Sequence, residues 1–537
     1  MSLAPKPSSL AERKARWDLI LLPRTPVQIQ ATIVPSVSNR KVAVASTDYA
    51  ECLRERRERH ASWQHQSTSF HSNRGTFDLA LNNAISDFHA LQIRDGEDHV
   101  VAAGVPWFAT LFGRDSIIAS YQALALNPQL AMDTLRVLAR YQGKEYNDWR
   151  DEEPGKILHE YRQGEMTRCN EMPFGPYYGS VDATPLFLIL LSETYRWTGD
   201  ANFVAELLPA AYRALDWIAE YGDLDHDGLV EYARRSPKGL MNQSWKDSWD
   251  ANMCPDGSIA PPPIAPVEVQ GYVYDAKRRM SSLLRLFNDS DRANKLKKEA
   301  SDMARRLEKA YWMPNQNFYA MALDGRKKPL EVTSSNPGHL LFSGAISRER
   351  ARTVIHRLMQ EDMFSGWGWR TLSDREPTFN ALSYHRGSVW PHDNSLIAYG
   401  MGLNNFRAPA LKILTTLFHA AMTFRDYRLP ELFCGVQRRE HDQPVHYPVS
   451  CSPQAWASGA WFLILTSVLG IHPLAQRKEL NIVNPELPDW LDFLAVRNMR
   501  IGNSSVDLDF NLQNGRTSCN VVGLRGERLA VHMAFRK

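Results

Sequence analysis

Cysteine is scarce and unpatterned. The chain has 6 cysteines among 537 residues, at 52, 169, 254, 434, 451 and 519, with no CxxC pair. That spacing argues against a zinc site and a disulfide framework, and it suits a reducing compartment. Charge of one sign is also missing. The formal net charge is +3, so no nucleic-acid-binding surface is expected. The basic run LRERRERH at 53–60 is interleaved with Glu55 and Glu58 and reads as a solvated face. No apolar h-region follows the N-terminal MSLAPKPSSLAERKARW, so no secretory leader is expected and the cytoplasm is the expected location. The longest uncharged run, AWASGAWFLILTSVLGI at 455–471, is short for a membrane span and carries Ser, Thr and Gly, so a buried core helix is expected there.

Aromatics, by contrast, are plentiful, with 15 Trp, 19 Tyr and 21 Phe. Many sit in polar company, as in GWGWR, QSWKDSWD and SVWPHDN, rather than in apolar runs. Flat faces beside hydrogen-bonding groups are suited to sugars, although large core residues with a satisfied N–H read the same way. Hydrophobic residues at 44% and charged residues at 23% fit an ordinary globular enzyme.

Residues 18–46 alternate apolar with polar and read as two or three strands. From about residue 76 the period becomes helical, and about twelve helices follow, counting one near 116–126 and a short one near 337–344. Very apolar helices alternate with charged amphipathic ones, as an inner and an outer ring require. The expected fold is therefore mainly α, an (α/α)6 barrel over 76–472, with β-rich appendages at 1–75 and 473–537. The C-terminal appendage is expected to pair with the N-terminal strands. Long connections at 144–181, 222–265, 361–389 and 426–452 are expected to carry function.

Those connections hold the polar and aromatic motifs. WFATLFGRDS presents Trp107, Arg114 and Asp115, the last also readable as a helix N-cap. PYYGSVDATPLF offers Tyr178 and Asp182, and NQSWKDSWDA offers Trp245, Lys246, Asp247 and Asp250. SYHRGSVWPHDNSL presents Tyr384, His385, Arg386, Trp390 and His392, and RLPELF brings Glu431. In DLDHDGLVEY, Asp223, Asp225 and Asp227 have the spacing of a calcium loop, but position 234 is Arg where such a loop ends in Glu. A tight Asx-rich turn and a calcium site both stay open, and no cofactor is required.

In this order FGRDS, YYGSVDATPLF, NQSWKDSWDA, APVEVQGY, YHRGSVWPHDNSLIA, LPELF and PQAWASGA resemble the amylo-α-1,6-glucosidase family, the catalytic domain of glycogen-debranching enzymes and its bacterial relatives, over about 75–510. The resemblance implies an (α/α)6 six-hairpin glycosidase that hydrolyses with inversion. It makes Asp247 the general acid and Glu431 the general base. Inversion needs two carboxyl groups roughly 6.5–9.5 Å apart. Asp247 and Asp250 are expected on one side of one helical turn, so the second group comes from elsewhere. Trp245 and Trp249 are expected to desolvate Asp247 and raise its pKa, with Asp250 structural. Arg114, Asp115, Glu268 and Trp390 are expected to build the glucose pocket, together with Trp107, Tyr178, Asp182, Trp245, Lys246, Tyr384, Arg386, His392 and Trp456.

The expected function is an inverting α-glucoside hydrolase releasing terminal glucose from an α-linked oligosaccharide, a branch point or a small glucoside. The expected partner is a carbohydrate substrate, with no nucleic acid and no membrane. Two other classes fit the same barrel: a sugar epimerase using His385 and His392 as acid and base, and a catalytically silent glycan-binding protein.

Overall fold

The computed structural model describes residues 2–34, 36–37, 40–41, 48–438 and 443–535. The chain divides into two compact units, Met1–Gln66 and Ser67–Lys537. In the first, Ser2–Ala4 pairs antiparallel with Gln30–Thr32, and Ser9–Ala11 with Lys14–Arg16. Helix α1 (Tyr49–Gln66) follows, and Trp63 is its one buried residue, so the basic run lies on an exposed face. The strands expected over 18–46 reduce to Gln30–Thr32 and the short pair Ser36–Val37 and Arg40–Lys41. Ile20, Leu21 and Leu22 are exposed in irregular chain: the alternation is there, but no described strand covers its apolar side. The part of that expectation at 42–47 lies outside the described residues.

The second unit carries the other helices: α2 (Gly75–Ala90), α3 (Gly113–Gln122), α4 (Gln129–Arg140), α5 (Glu165–Arg168), α6 (Ala183–Thr198), α7 (Ala201–Glu220), α8 (Val267–Arg285), α9 (Ser290–Tyr311), α10 (His339–Ser343), α11 (Arg348–Leu358), α12 (Pro391–Leu403), α13 (Arg407–Ala421) and α14 (Ala455–Val468). Helices α3, α6, α8, α10, α12 and α14 touch one another in that order, and α14 touches α3, which closes a circuit of six. Against this circuit lie α2 on α14, α4 on α3, α7 on α6, α9 on α8 and α13 on α12.

Sequence composition explains which helix sits where. Every residue of α3 and α14 is buried, so neither has a polar face to offer water. The run at 455–471 is thus a core helix, and among the described residues no helix is long and apolar enough to cross a membrane. In α9, by contrast, Ala293, Leu296, Ala300, Met303, Leu307 and Tyr311 are buried at three- and four-residue steps, leaving lysines and arginines outside. α9 starts at Asp289, whose side chain accepts from the Arg292 N–H.

The C-terminal residues form two sheets. Arg516–Gly526, Ser504–Gln513, Phe493–Ile501 and Ser69–Ser72 make a four-stranded antiparallel sheet in that spatial order. Ile471–Leu474, Glu479–Val483 and Ala530–Ala534 make a three-stranded one. Among the described residues, the strand that the C-terminal segment recruits is Ser69–Ser72. Residues 69–72 join α2 directly, so a short tether suffices to bring them into register with Phe493–Ile501.

Candidate active site

Arg114 is the charged centre of the site. It lies in the first turn of α3, where Gly113 permits a close approach: a Cβ there would stand 1.8 Å from the Leu158 carbonyl oxygen. The Gly113 N–H donates to His159 O at 2.7 Å, and Leu111–Phe112 pairs with Glu160–Tyr161. The guanidinium is 3% exposed. A cation buried that deeply needs anions around it, and it has three. Arg114 Nη2 donates to Asp247 Oδ2 at 2.7 Å, Nη1 reaches Asp182 Oδ2 at 3.4 Å, and Nε lies 3.8 Å from Asp115 Oδ1. Asp115 is not the helix N-cap, which is Phe112, but an acid inside the first turn. Burial pushes its pKa up to about 7, against the pull of Arg114.

Asp247 stands in irregular chain rather than in a helical turn, so its neighbours diverge. Asp247 faces Arg114, while Asp250 Oδ2 accepts from Arg386 Nε at 2.8 Å and Asp250 Oδ1 from Ser248 Oγ at 2.9 Å. Burial raises the Asp247 pKa, and Arg114 opposes the rise. Of the two tryptophans expected to desolvate it, Trp245 is 2% exposed and lines the same cavity, whereas Trp249 is 61% exposed and does not line it.

Glu431 comes from the proline-stiffened turn of RLPELF and is 1% exposed. Each of its carboxyl oxygens has a donor: Tyr384 Oη at 2.5 Å from Oε1, and the Cys451 N–H at 3.0 Å from Oε2. Its pKa rises to about 7 because burial outweighs these two bonds, and the charge of Asp247 adds to the rise.

Asp247 and Glu431 line one cavity of about 1160 Å³. Trp107, Arg114, Asp115 and Trp245 share its wall, as do Tyr384, Trp390 and Trp456. Trp107, 55% exposed, stands where the cavity meets solvent. The other expected pocket residues lie outside that wall. Lys246 Nζ donates to Asn336 Oδ1 at 2.6 Å and Thr371 O at 2.7 Å, and Glu268 Oε2 accepts from Asn336 at 3.0 Å. These two form a polar layer of their own, in which burial lowers the Lys246 pKa to about 8. His392 stacks on Trp456 at 3.7 Å between centroids. Tyr178 donates to Tyr141 O, Asp182 accepts from Ser180 Oγ at 2.6 Å, and Arg386 is held by Asp250. A motif places its residues in one region, but burial and backbone direction decide which of them reach the space.

The cavity also has a wall that no single motif singled out. His159, Glu160 and Arg162 come from the long 144–181 connection, with Phe112 beside them. Arg162 Nε donates to Glu160 Oε2 at 2.6 Å, and its guanidinium lies 5.5 Å from the Phe112 ring centroid. Connection length was the one available signal for this wall. His385 lines the cavity as well, neutral because burial holds its pKa well below the usual histidine range.

Asp223, Asp225 and Asp227 bring ligand-type oxygens within 4.8 Å of one another. Lys327 Nζ lies 3.1 Å from Asp225 and 3.0 Å from Asp227, and it reaches Glu231 at 2.5 Å, so an ammonium already supplies positive charge there.

Residues 111–433 of the 537 match the family model described as the mannosylglycerate hydrolase MGH1-like glycoside hydrolase domain. The chain belongs to this family. The MGH1-like match supports a glycoside hydrolase rather than the amylo-α-1,6-glucosidase family specifically, and it spans both Asp247 and Glu431. Among solved structures, the chain is similar to the GH63 mannosylglycerate hydrolase from Thermus thermophilus in complex with Tris, at 15% identity and a TM-score of 0.54, covering 72% of this chain and 100% of that one. The same enzyme in complex with glucose matches at 18% identity and 0.52, with the same coverage. A GH78 family rhamnosidase of Bacillus sp. GL1 matches at 12% identity and 0.64, covering 88% of this chain and 43% of that one. The MGH1-like chain thus spans less than half the length of the rhamnosidase and of a sialidase it also matches. At these identities the likeness is one of fold.

Proposed function

We propose that this glycoside hydrolase is an inverting α-glucosidase in which Asp247 gives a proton to the leaving oxygen and Glu431 takes one from the attacking water. The observation that carries the reading is the pair itself: two carboxyl groups 184 positions apart on the wall of one cavity, Glu431 buried and Asp247 half-buried against a buried arginine. The raised pKa of Asp247 favours a proton at its Oδ1, since Oδ2 is engaged by Arg114. Glu431 accepts hydrogen bonds at both oxygens, which favours the ionised form a base needs. The reaction breaks the glycosidic C–O bond, forms a C–O bond to water on the opposite face, and needs no metal.

We read the closed circuit of six helices as the inner ring of an (α/α)6 barrel over 76–472, with 1–75 and 473–537 as appendages. The leaving group is read as a small polar aglycone. The family's description and the D-glycerate in one similar structure support this over a polymer branch point. The Asp223 loop is read as a lysine-paired turn, and the cytoplasm remains the proposed location.

One observation favours exchanged roles. Arg114 pairs with Asp247 and, among the described residues, no cation pairs with Glu431, so in the free cavity Glu431 holds its proton more tightly than a base should. Azide separates the two: it rescues a variant lacking the base by replacing water, giving an azide adduct, and so should rescue Glu431→Ala but not Asp247→Ala. The epimerase reading loses ground because His392 is outside the cavity wall and both histidines are neutral. The test of the whole reading is a proton NMR time course on isomaltose, maltose, sucrose, trehalose, limit dextrin and glucosylglycerate, with mannosylglycerate alongside. Early β-glucose from an α-glucoside is expected. Early α-glucose would exclude inversion.

A further inference from the structure

Neither carboxyl group of the pair is anchored on a helix or strand. Asp247 sits in irregular chain at 242–252 and Glu431 in an irregular turn, yet inversion and retention differ by only a few ångströms in carboxyl separation. The segment 383–390 holds both. On one side, Arg386 Nε donates to Asp250 Oδ2 at 2.8 Å, and His385 Nδ1 lies 3.0 Å from Ser248 Oγ and 3.3 Å from the Ser248 N–H. Ser248 Oγ also meets Asp250 Oδ1, so the two ties share one carboxylate. On the other side, Tyr384 bonds Glu431, and Val389 exchanges backbone bonds of 2.9 and 3.1 Å with Phe433. Gly435 packs against this segment so closely that a Cβ would stand 1.7 Å from Gly387 O. The side chains of Asp250 and Arg386 are 12% and 21% exposed, which shields their pairing from solvent.

We infer that Asp250, Ser248, His385 and Arg386 form a staple that sets the position of Asp247 relative to Glu431. The inference rests on the hydrolase reading above. These four are positioning residues: Asp250 and Arg386 are outside the cavity wall, and His385 reaches it without touching either carboxyl of the pair in the bonds described. A staple of this kind acts mainly on proton delivery, because it holds the Asp247 loop from within, while Glu431 keeps its own ties to Tyr384 and Cys451.

Leaving-group chemistry tests this. Fluoride departs from α-glucosyl fluoride as an anion: the C–F bond breaks, water forms the new C–O bond, and its proton goes to the base, with none required from the acid. An oxygen-linked aglycone must receive a proton from Asp247 as its C–O bond breaks. The kcat and KM of the full chain and its Asp250→Asn variant are measured on α-glucosyl fluoride and α-glucosylglycerate, with the mannosyl counterparts in parallel. The expected result is a kcat loss of at least about 30-fold on the glycerate and less than about 3-fold on the fluoride, with KM nearly unchanged, as misplacement near 1 Å can cost about 100-fold. Arg386→Gln should repeat the pattern, and the double variant should add little, since both remove one tie. Should Asp250→Asn fail to fold, Ser248→Ala removes the hydroxyl contacts to His385 and Asp250, keeps the backbone N–H on His385 and the charge pair, and should show a weaker form of the same substrate split. Equal losses on both substrates, or none, would overturn the staple. Wild-type inactivity on every substrate would instead overturn the hydrolase reading, and the staple with it.

Discussion

Glu431 and Asp115 are carboxyl groups whose folded pKa values stand near 7, well above the ordinary range, because burial outweighs the donors around them. The folded state therefore binds more protons than the unfolded chain between about pH 4 and 7. The stability from this difference is fully present below the unfolded pKa and is lost as pH rises through 7. At 1.36 kcal/mol per pKa unit the contribution is at most about 3 kcal/mol for Glu431 and about 4 kcal/mol for Asp115. Denaturant midpoints should thus fall between about pH 5 and pH 8, and Glu431→Gln should flatten that slope and be more stable than wild type at about pH 8. The same substitution should lower kcat by about 100- to 10,000-fold, the span of a lost general base. A variant as pH-sensitive as wild type would show that Glu431 titrates normally. The identity of the two residues was legible in the motifs, but the rise in the Glu431 pKa was not, because desolvation depends on what packs around the group.

At the scale of elements, the helical period is legible where it is strong, and pattern misleads most where chain alternation has no partner. Helix α9 shows its buried stripe in sequence, and α14 shows none because it is covered on all sides. The 18–29 stretch has a strand-like pattern yet stays irregular, since a strand needs a neighbour as well as a pattern. The NQSWKDSWDA stretch has helical spacing between its acids but is a loop, with its Asn, Ser and Asp side chains bonding locally: Asn242 Nδ2 donates to Ser248 O at 2.6 Å. One glycine carries an element-scale prediction. Gly113→Ala would drive a methyl into the Leu158 carbonyl and displace the start of α3, with Arg114 and Asp115 on it. Thermal unfolding should register a loss of about 1–3 kcal/mol, and activity should fall further than stability. An unchanged melting temperature would mean the strand pair at 111–112 yields at no cost.

At the scale of the whole molecule, every residue of the cavity wall lies between Ile93 and Trp456, inside the unit that begins at Ser67. A chain starting at Ser67 should therefore keep its circular dichroism, melt within a few degrees of the full protein, and hydrolyse the same glycoside. A loss of folding on truncation would show that Met1–Gln66 is needed by the larger unit.

By itself the sequence determined the helix-rich plan and the motifs that carry Asp247 and Glu431, because apolar period and residue type are local properties of the chain. Tertiary structure alone decided the rest. It chose which motif residues reach the cavity and brought Glu160, Arg162 and His159 to its wall from a connection without a signature. It sent Asp247 and Asp250 to different arginines, and it took Ser69–Ser72 into the C-terminal sheet. The physical reason is the same in each case: burial, charge pairing and strand partnership are relations between segments far apart in sequence, and the folded chain is what creates them.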